Sequence, residues 1–137
     1  MGRIIAIDYG TKRTGIAVTD PLRIIANPLD TVHTKDLVPF IEKYIKEEEV
    51  DIIVVGEPKR MHGEQDKIGK IIDETVVYFS RKFPDIKIDR MDERFTSKIA
   101  MQSITMMNAN NKLRKDKGLI DKLSATIILQ SYMDSLR

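Results

Sequence analysis

Two short apolar runs limit the fold of this chain more than any other feature of its sequence. Residues 3–8 read RIIAID and residues 51–56 read DIIVVG. Apolar side chains occur at both alternating positions of each run, which is typical of a strand that is buried on both faces. Because such strands need helices on both sides of their sheet, the runs predict an α/β fold with a central sheet.

The remaining apolar patterns predict the elements that surround these two strands. Further strands are predicted at residues 15–19, at 23–32 with an interruption at Asn27-Pro28, and at 86–91. Apolar residues spaced by three and four predict helices at 36–49, 66–83, 96–107 and 118–136. The chain is therefore predicted to be a single domain, residues 1–137, in which a five-stranded mixed sheet is flanked by helices.

Composition excludes several kinds of site. The 137 residues include no cysteine, which rules out disulfides, a thiol nucleophile and thiolate zinc sites. Its 23 basic and 21 acidic residues give a net charge of +2, so any case for nucleic-acid binding has to rest on local clusters of charge. The first residues, MGRIIAIDYG, lack the long apolar segment of a signal peptide, and we expect a cytoplasmic protein without membrane contact.

Acidic residues at predicted strand ends and on a predicted helix face indicate a divalent-metal site. Asp8 ends the first buried strand, and Glu93 follows the last strand. Asp121 begins a helical stripe that should face the sheet, where a carboxylate is costly unless it has a partner or a metal ion. The apolar members of that stripe are Ala125, Ile128 and Tyr132. Taken alone, each acid also fits a structural role, as a turn residue, a solvated charge or an acid at a helix N-terminus.

The chemistry of phosphodiester cleavage explains why such a set of acids is informative. Mg²⁺ is a hard cation and prefers carboxylate oxygens as ligands. Two ions about 4 Å apart can activate a water molecule and stabilise the leaving oxygen together. The protein must then bring several carboxylates together on rigid elements, and strand ends and helix faces are suitable places for them.

Four segments together resemble one known family. They are DYGTKRTGIAVTD at 8–20, VVGEP at 54–58, DERFTS at 92–97 and DKLSATIILQSYMDS at 121–135. In order and spacing they are similar to the YqgF (RuvX-like) family, a relative of the RuvC-type Holliday junction resolvases. The resemblance implies an RNase H-like fold and an endonuclease that matures the 5′ end of pre-16S ribosomal RNA, with a junction resolvase acting on DNA as the alternative.

The resemblance also assigns site residues. The family's acidic positions fall on Asp8, Glu93 and Asp121, which are therefore expected to be both catalytic residues and ligands of Mg²⁺ or Mn²⁺. The loop after the fourth strand departs from the family pattern at Glu57 and His62. These departures bear on the contacts to substrate more than on the metal site.

Basic residues near the acids are predicted to contact the phosphates of a nucleic acid. Lys12 and Arg13 lie in the turn directly after Asp8, where cations can hold a phosphate or offset the charge of a transition state. The other predicted contacts are Lys59 and Arg60, Arg94, and the cluster of Lys112, Arg114, Lys115 and Lys117. The spacing of His33 and His62 does not make them a metal-binding pair.

Two other classes of function stay open from the sequence alone. The run DYGTKRTG also resembles the phosphate loop of actin-like ATPases, but these clamp nucleotide between two domains and 137 residues supply only one. The second class is a non-catalytic RNA-binding or assembly factor. The sequence does not separate structured RNA from a DNA junction as substrate, nor a monomer from a weak homodimer.

Overall fold

A computed structural model describes residues 2–57, 64–92 and 117–136. The strands are β1 Arg3–Asp8, β2 Arg13–Thr19, β3 Ala26–His33, β4 Val50–Glu57 and β5 Lys87–Asp92. The helices are α1 Leu37–Glu47, α2 Glu64–Lys82 and α3 Lys117–Ser135, and a short 3₁₀ turn, Thr34–Asp36, precedes α1. In this part of the chain, no helix has both the length and the apolar character needed to cross a membrane.

The five strands form one mixed sheet in the order β3-β2-β1-β4-β5. The first three strands are an antiparallel meander, whereas β4 and β5 run parallel to β1. The two apolar runs of the sequence are therefore neighbours at the centre of the sheet, and the predicted five-stranded mixed sheet with flanking helices is confirmed. Parallel pairing brings the C-terminal ends of β1, β4 and β5 to one edge of the sheet.

Helices cover both faces of the sheet, which explains why the central strands are apolar at consecutive interior positions. On one face Ile5 and Ile7 pack in a cluster with residues of α1 and α2. On the other face, which we call the α3 face, Ile4 and Ala6 pack with residues of α3. The α3 residues of this cluster are Ala125, Ile128, Leu129, Tyr132 and Met133. The alternation along β1 thus tells which face each of its side chains occupies.

Strand β3 begins later than predicted because the side chain of Asp20 caps the turn before it. Strand β3 begins at Ala26, whereas the sequence predicted a strand from residue 23. The Asp20 carboxylate accepts hydrogen bonds from the backbone amides of Ile24 (2.7 Å) and Ile25 (2.8 Å), so these residues belong to the loop. The bonds from those amides, with Ile25 the larger influence, lower the pKa of Asp20. Local side-chain capping here overrides the β propensity of the two isoleucines.

Arg23 joins this loop to the edge of the sheet at which β1 and β4 begin. Its guanidinium donates to the Gly2 carbonyl oxygen at 2.8 Å and to Asp51 Oδ2 at 2.7 Å. Arg23 has a φ of 57°, a left-handed conformation that is uncommon for residues other than glycine. The charge of Arg23 partly offsets the rise in the pKa of Tyr132, near the end of α3.

A contact between α3 and β5 makes the free energy of unfolding depend on pH in the alkaline range. The Tyr132 hydroxyl donates to Asp89 Oδ2 at 2.9 Å. Burial and this bond to Asp89 raise the pKa of Tyr132 to about 12. Because an unfolded tyrosine loses its proton near pH 10, the contribution is complete below pH 10 and is lost as the pH rises toward 12.

We expect the free energy of unfolding to fall by roughly 1–3 kcal/mol more between pH 10 and 12 in the wild type than in Tyr132→Phe. The measurement is urea denaturation at a series of alkaline pH values, with the difference between the two proteins isolating this one group. Below pH 10 the difference in the free energy of unfolding between the two proteins should be constant. Parallel pH curves for the two proteins would show that Tyr132 titrates like a solvent-exposed tyrosine.

Candidate active site

Asp8 lies at the C-terminal end of the central strand and is half-buried. Its Cα partners on the neighbouring strands are both glycines, Gly15 on β2 and Gly56 on β4. Glycine places no side chain beside the carboxylate on either strand. By the alternation that puts Ile4 and Ala6 on the α3 face, the side chain of Asp8 lies on that face as well. The last position of β1 thus presents a carboxylate whose neighbours on both adjacent strands are glycines.

Strand β5 presents the same face through two of its residues. Asp89 accepts the hydrogen bond from Tyr132 of α3, and Met91 packs against the α3-face cluster. The last residue of β5, Asp92, is the Cα partner of Glu57 at the end of β4. Glu93 has the same parity as Asp89 and Met91 but lies outside the described residues.

Helix α3 has the buried stripe that the sequence predicted. Ala125, Ile128 and Tyr132 are all buried against the sheet. Asp121 lies in the helical backbone one turn before Ala125, and its side chain is outside the description. Asp121 therefore belongs to the helix that covers the face of the sheet on which the side chain of Asp8 lies.

Of the two basic residues predicted to lie in the turn after Asp8, Lys12 lies in the turn and Arg13 begins β2. Lys12 is exposed at the tip of the turn. Arg13, the first residue of β2, has the same parity as Gly15 and Ala17, and Ala17 packs in the α3-face cluster. The side chain of Arg13 is therefore on the same face and at the same end of the sheet as Asp8. This supports the predicted proximity of cations to the acid.

The other predicted site residues lie outside the described part of the chain. They are Glu93, Lys59, Arg60, Arg94, Lys112, Arg114 and Lys115, together with the side chains of Lys117 and Asp121. His62 and the side chain of Glu57 also lie outside it. Within residues 2–57, 64–92 and 117–136, no three acidic or histidine side chains are grouped closely enough to hold a metal ion. The three-acid metal site and these contacts therefore stay predictions.

Two residues beside the turn were missed by reasoning from the sequence. His33, the last residue of β3, is the Cα partner of Arg13 and is exposed. The next residue, Thr34, forms hydrogen bonds to the β1–β2 turn. The sequence gives no signal for either contact, because 20 or more residues separate them from the turn and only strand pairing brings them together.

The order of the strands and the helices on both faces of the sheet define a domain of the RNase H-like class of folds. Structures of RuvC from Thermus thermophilus share this fold. RuvC in complex with a Holliday junction substrate aligns with a TM-score of 0.56 at 15% identity, covering 97% of this chain and 96% of RuvC. A second RuvC structure gives a TM-score of 0.52 at 14% identity and covers 96% of each chain.

The chain belongs to the RuvX family, whose model is described as Holliday junction resolvase and matches residues 2–135. A relative from Flavobacterium johnsoniae is 49% identical over 137 residues, covering 100% of this chain and 99% of the relative. A relative from Christiangramia forsetii is 50% identical over 133 residues, covering 97% and 98%. Both are described as candidate pre-16S rRNA nucleases. The predicted family, fold and nuclease class are confirmed.

Proposed function

We propose that this protein is a metal-dependent endonuclease that cuts phosphodiester bonds beside the end of β1, and that its substrate is the 5′ region of pre-16S ribosomal RNA. The observation that carries the proposal is the position of Asp8, on the α3 face at the C-terminal end of the central strand, with glycine on either side. The description of the relatives as candidate pre-16S rRNA nucleases supports the choice of substrate.

Asp8, Glu93 and Asp121 are the proposed ligands of Mg²⁺ or Mn²⁺. Glu93 continues the parity of Asp89 and Met91, whose side chains are on the α3 face, and Asp121 belongs to the helix that covers this face. Three carboxylates are a donor set that suits hard divalent ions. When bound, such ions supply an activated water molecule and stabilise the oxygen that leaves.

The protein's own cations are proposed to bind and orient the nucleic acid. Lys12 lies in the turn after Asp8 and Arg13 begins the next strand, and both would hold the phosphate next to the bond that is cut. The remaining contacts are proposed for Lys59, Arg60, Arg94, Lys112, Arg114, Lys115 and Lys117. Four of these precede or begin α3, the helix that also carries Asp121, so the same helix would link substrate binding to the acidic site.

The whole chain is proposed to act as one domain in the cytoplasm, where bacterial ribosomal RNA is made. The single sheet, packed on both faces, supports the one-domain proposal. A monomer suffices for a single cut in RNA, whereas a junction resolvase that makes two symmetric cuts needs a two-fold dimer.

The test is a cleavage assay that offers two substrates side by side, with Mg²⁺ or Mn²⁺ present. One is a structured RNA that spans the 5′ leader and the start of 16S rRNA, and the other is a four-way DNA junction. We expect defined cuts in the RNA leader and none in the junction. An RNA that begins at the mature 5′ end is the matched control and should stay intact.

The other outcomes separate the alternatives. Symmetric cuts in the junction, with the RNA left intact, would replace the proposed substrate with DNA but keep the metal-dependent chemistry. If neither substrate is cut but the RNA leader is bound, the protein is a non-catalytic RNA-binding factor.

A further inference from the structure

Thr34, the first residue after β3, holds both limbs of the β1–β2 turn. Its hydroxyl donates to the Gly10 carbonyl oxygen at 2.6 Å, and its backbone amide donates to the Lys12 carbonyl oxygen at 3.0 Å. We propose that Thr34 is a positioning residue for substrate binding, which fixes the turn so that Lys12 and Arg13 meet the phosphates of the nucleic acid. The inference rests on the proposed function, in which these two cations bind substrate.

The direction of the hydrogen bonds follows from the number of protons available. Thr34 Oγ1 also lies 2.9 Å from Thr14 Oγ1. A hydroxyl has one proton to donate, and that of Thr34 goes to the Gly10 carbonyl, so Thr34 must accept from Thr14. Thr14 is fully buried at 0% exposure, and a buried hydroxyl requires a partner. The chain of bonds therefore runs from the core of the sheet, through Thr34, to the turn.

The turn itself is tight at the point that Thr34 holds. A Cβ atom placed on Gly10 would collide with the carbonyl oxygen of Arg13, so only glycine fits there without a shift of the backbone. Thr34 binds Gly10, the residue that makes this close approach, and Lys12, in the middle of the turn. The conformation that aims Lys12 and Arg13 thus depends on a residue from the far side of β2.

Loss of these bonds should affect substrate binding more than the chemical step. Asp8 is held by the strand ladders with β2 and β4, and Thr34 bonds to the turn beyond it. A turn that moves would displace the two cations and leave the acid in place. Phosphate contacts also determine how steeply affinity falls with salt, because each one releases a counterion.

The test compares Thr34→Val, which removes the hydroxyl, with Thr34→Ser, which keeps it. We expect Thr34→Val to raise KM for the RNA leader roughly tenfold with kcat within about twofold of wild type. The slope of log KM against log salt concentration should also become shallower. Thr34→Ser should restore both values. Thr75→Val is the matched control, since the Thr75 hydroxyl donates to the Ile71 carbonyl oxygen on α2, away from the turn.

Two further variants keep the inference falsifiable. Thr14→Val removes the buried donor but leaves the bond from Thr34 to Gly10, so KM should stay near wild type. An equal rise of KM in Thr14→Val and Thr34→Val would mean that packing at the turn, and not this bond, is what matters. Thr34→Ala replaces Thr34→Val if the latter does not fold, and an unchanged KM in either overturns the proposal.

A binding measurement separates this inference from the proposed nuclease function. Fluorescence anisotropy of the labelled RNA leader is measured with Asp8→Asn, alone and combined with Thr34→Val, so that no cleavage is needed. We expect the double variant to bind roughly tenfold more weakly. If the wild type cuts neither substrate, the nuclease proposal fails, while a weaker Kd in the double variant still supports the role of Thr34. Equal affinities would overturn that role even if the wild type cuts RNA.

Discussion

Asp8→Asn is expected to lower the rate of phosphodiester cleavage by about 10³-fold while the protein stays folded. The substitution keeps the shape of the side chain but removes the charge that would hold a divalent ion at the end of β1. The side chains beside Asp8 on the neighbouring strands cannot take over this role, because both positions are glycine. The measurement is single-turnover cleavage of the RNA leader at saturating protein.

Asp30→Asn is the matched control for this experiment. Asp30 is an exposed acid on β3 whose carboxylate accepts a hydrogen bond from the Thr31 amide at 2.7 Å. We expect its cleavage rate to stay within about twofold of wild type, since exposed substitutions have small effects. Thermal unfolding of both variants checks that neither has lost its fold. If Asp8→Asn retains cleavage near the wild-type rate, the acid is not catalytic and the binding-factor interpretation gains support.

The central part of the fold could be predicted because it depends on local composition. A strand buried on both faces must be apolar at consecutive positions, and β1 and β4 match the two predicted runs to within a residue at each end. Helix α3 was predicted from its spacing, and Ala125, Ile128 and Tyr132 are buried as that spacing requires. In each case the requirement is burial of side chains, and residues close together in the chain meet it.

The features that were not predicted depend on contacts between distant segments. The left-handed conformation of Arg23 is held by Gly2, which precedes β1, and by Asp51, near the start of β4. The bonds from Thr34 to the β1–β2 turn require that β3 is already paired with β2. Neither contact has a local signature, because arginine and threonine occur in many turns and loops without these partners.

In the candidate site, too, local features could be predicted and contacts between distant segments could not. The sequence predicted that Asp8 ends a buried strand, and it does. It did not predict that Gly15 and Gly56 are its cross-strand partners, because strand register depends on which strands pair. This register is what places a glycine beside the acid on each neighbouring strand. Membership of the RuvX family favours the nuclease over the actin-like ATPase that the same glycine turn also suggested.

Removal of divalent ions is the second change with a large expected effect. Treatment with EDTA should abolish cleavage of the RNA leader, and added Mg²⁺ or Mn²⁺ should restore it, because in the proposed mechanism the divalent ions activate the water and stabilise the leaving oxygen. Glu93→Gln and Asp121→Asn should each lower the restored rate and raise the Mn²⁺ concentration needed for half-maximal activity by at least about tenfold. The measurement is cleavage rate against Mn²⁺ concentration for each variant.

Asp134→Asn is the control for the helix that carries Asp121. Asp134 is exposed near the end of α3, where its carboxylate accepts a hydrogen bond from Gln130 Nε2 at 3.0 Å. Its Mn²⁺ titration should match that of the wild type, since it lies near the end of α3 and Asp121 lies in the first turns of that helix. A normal titration in Asp121→Asn would remove that residue from the ligand set, and cleavage that persists in EDTA would contradict metal-dependent chemistry altogether. The first result would correct the assignment of one ligand, because each acid contributes separately to the metal affinity. The second would reject the mechanism itself.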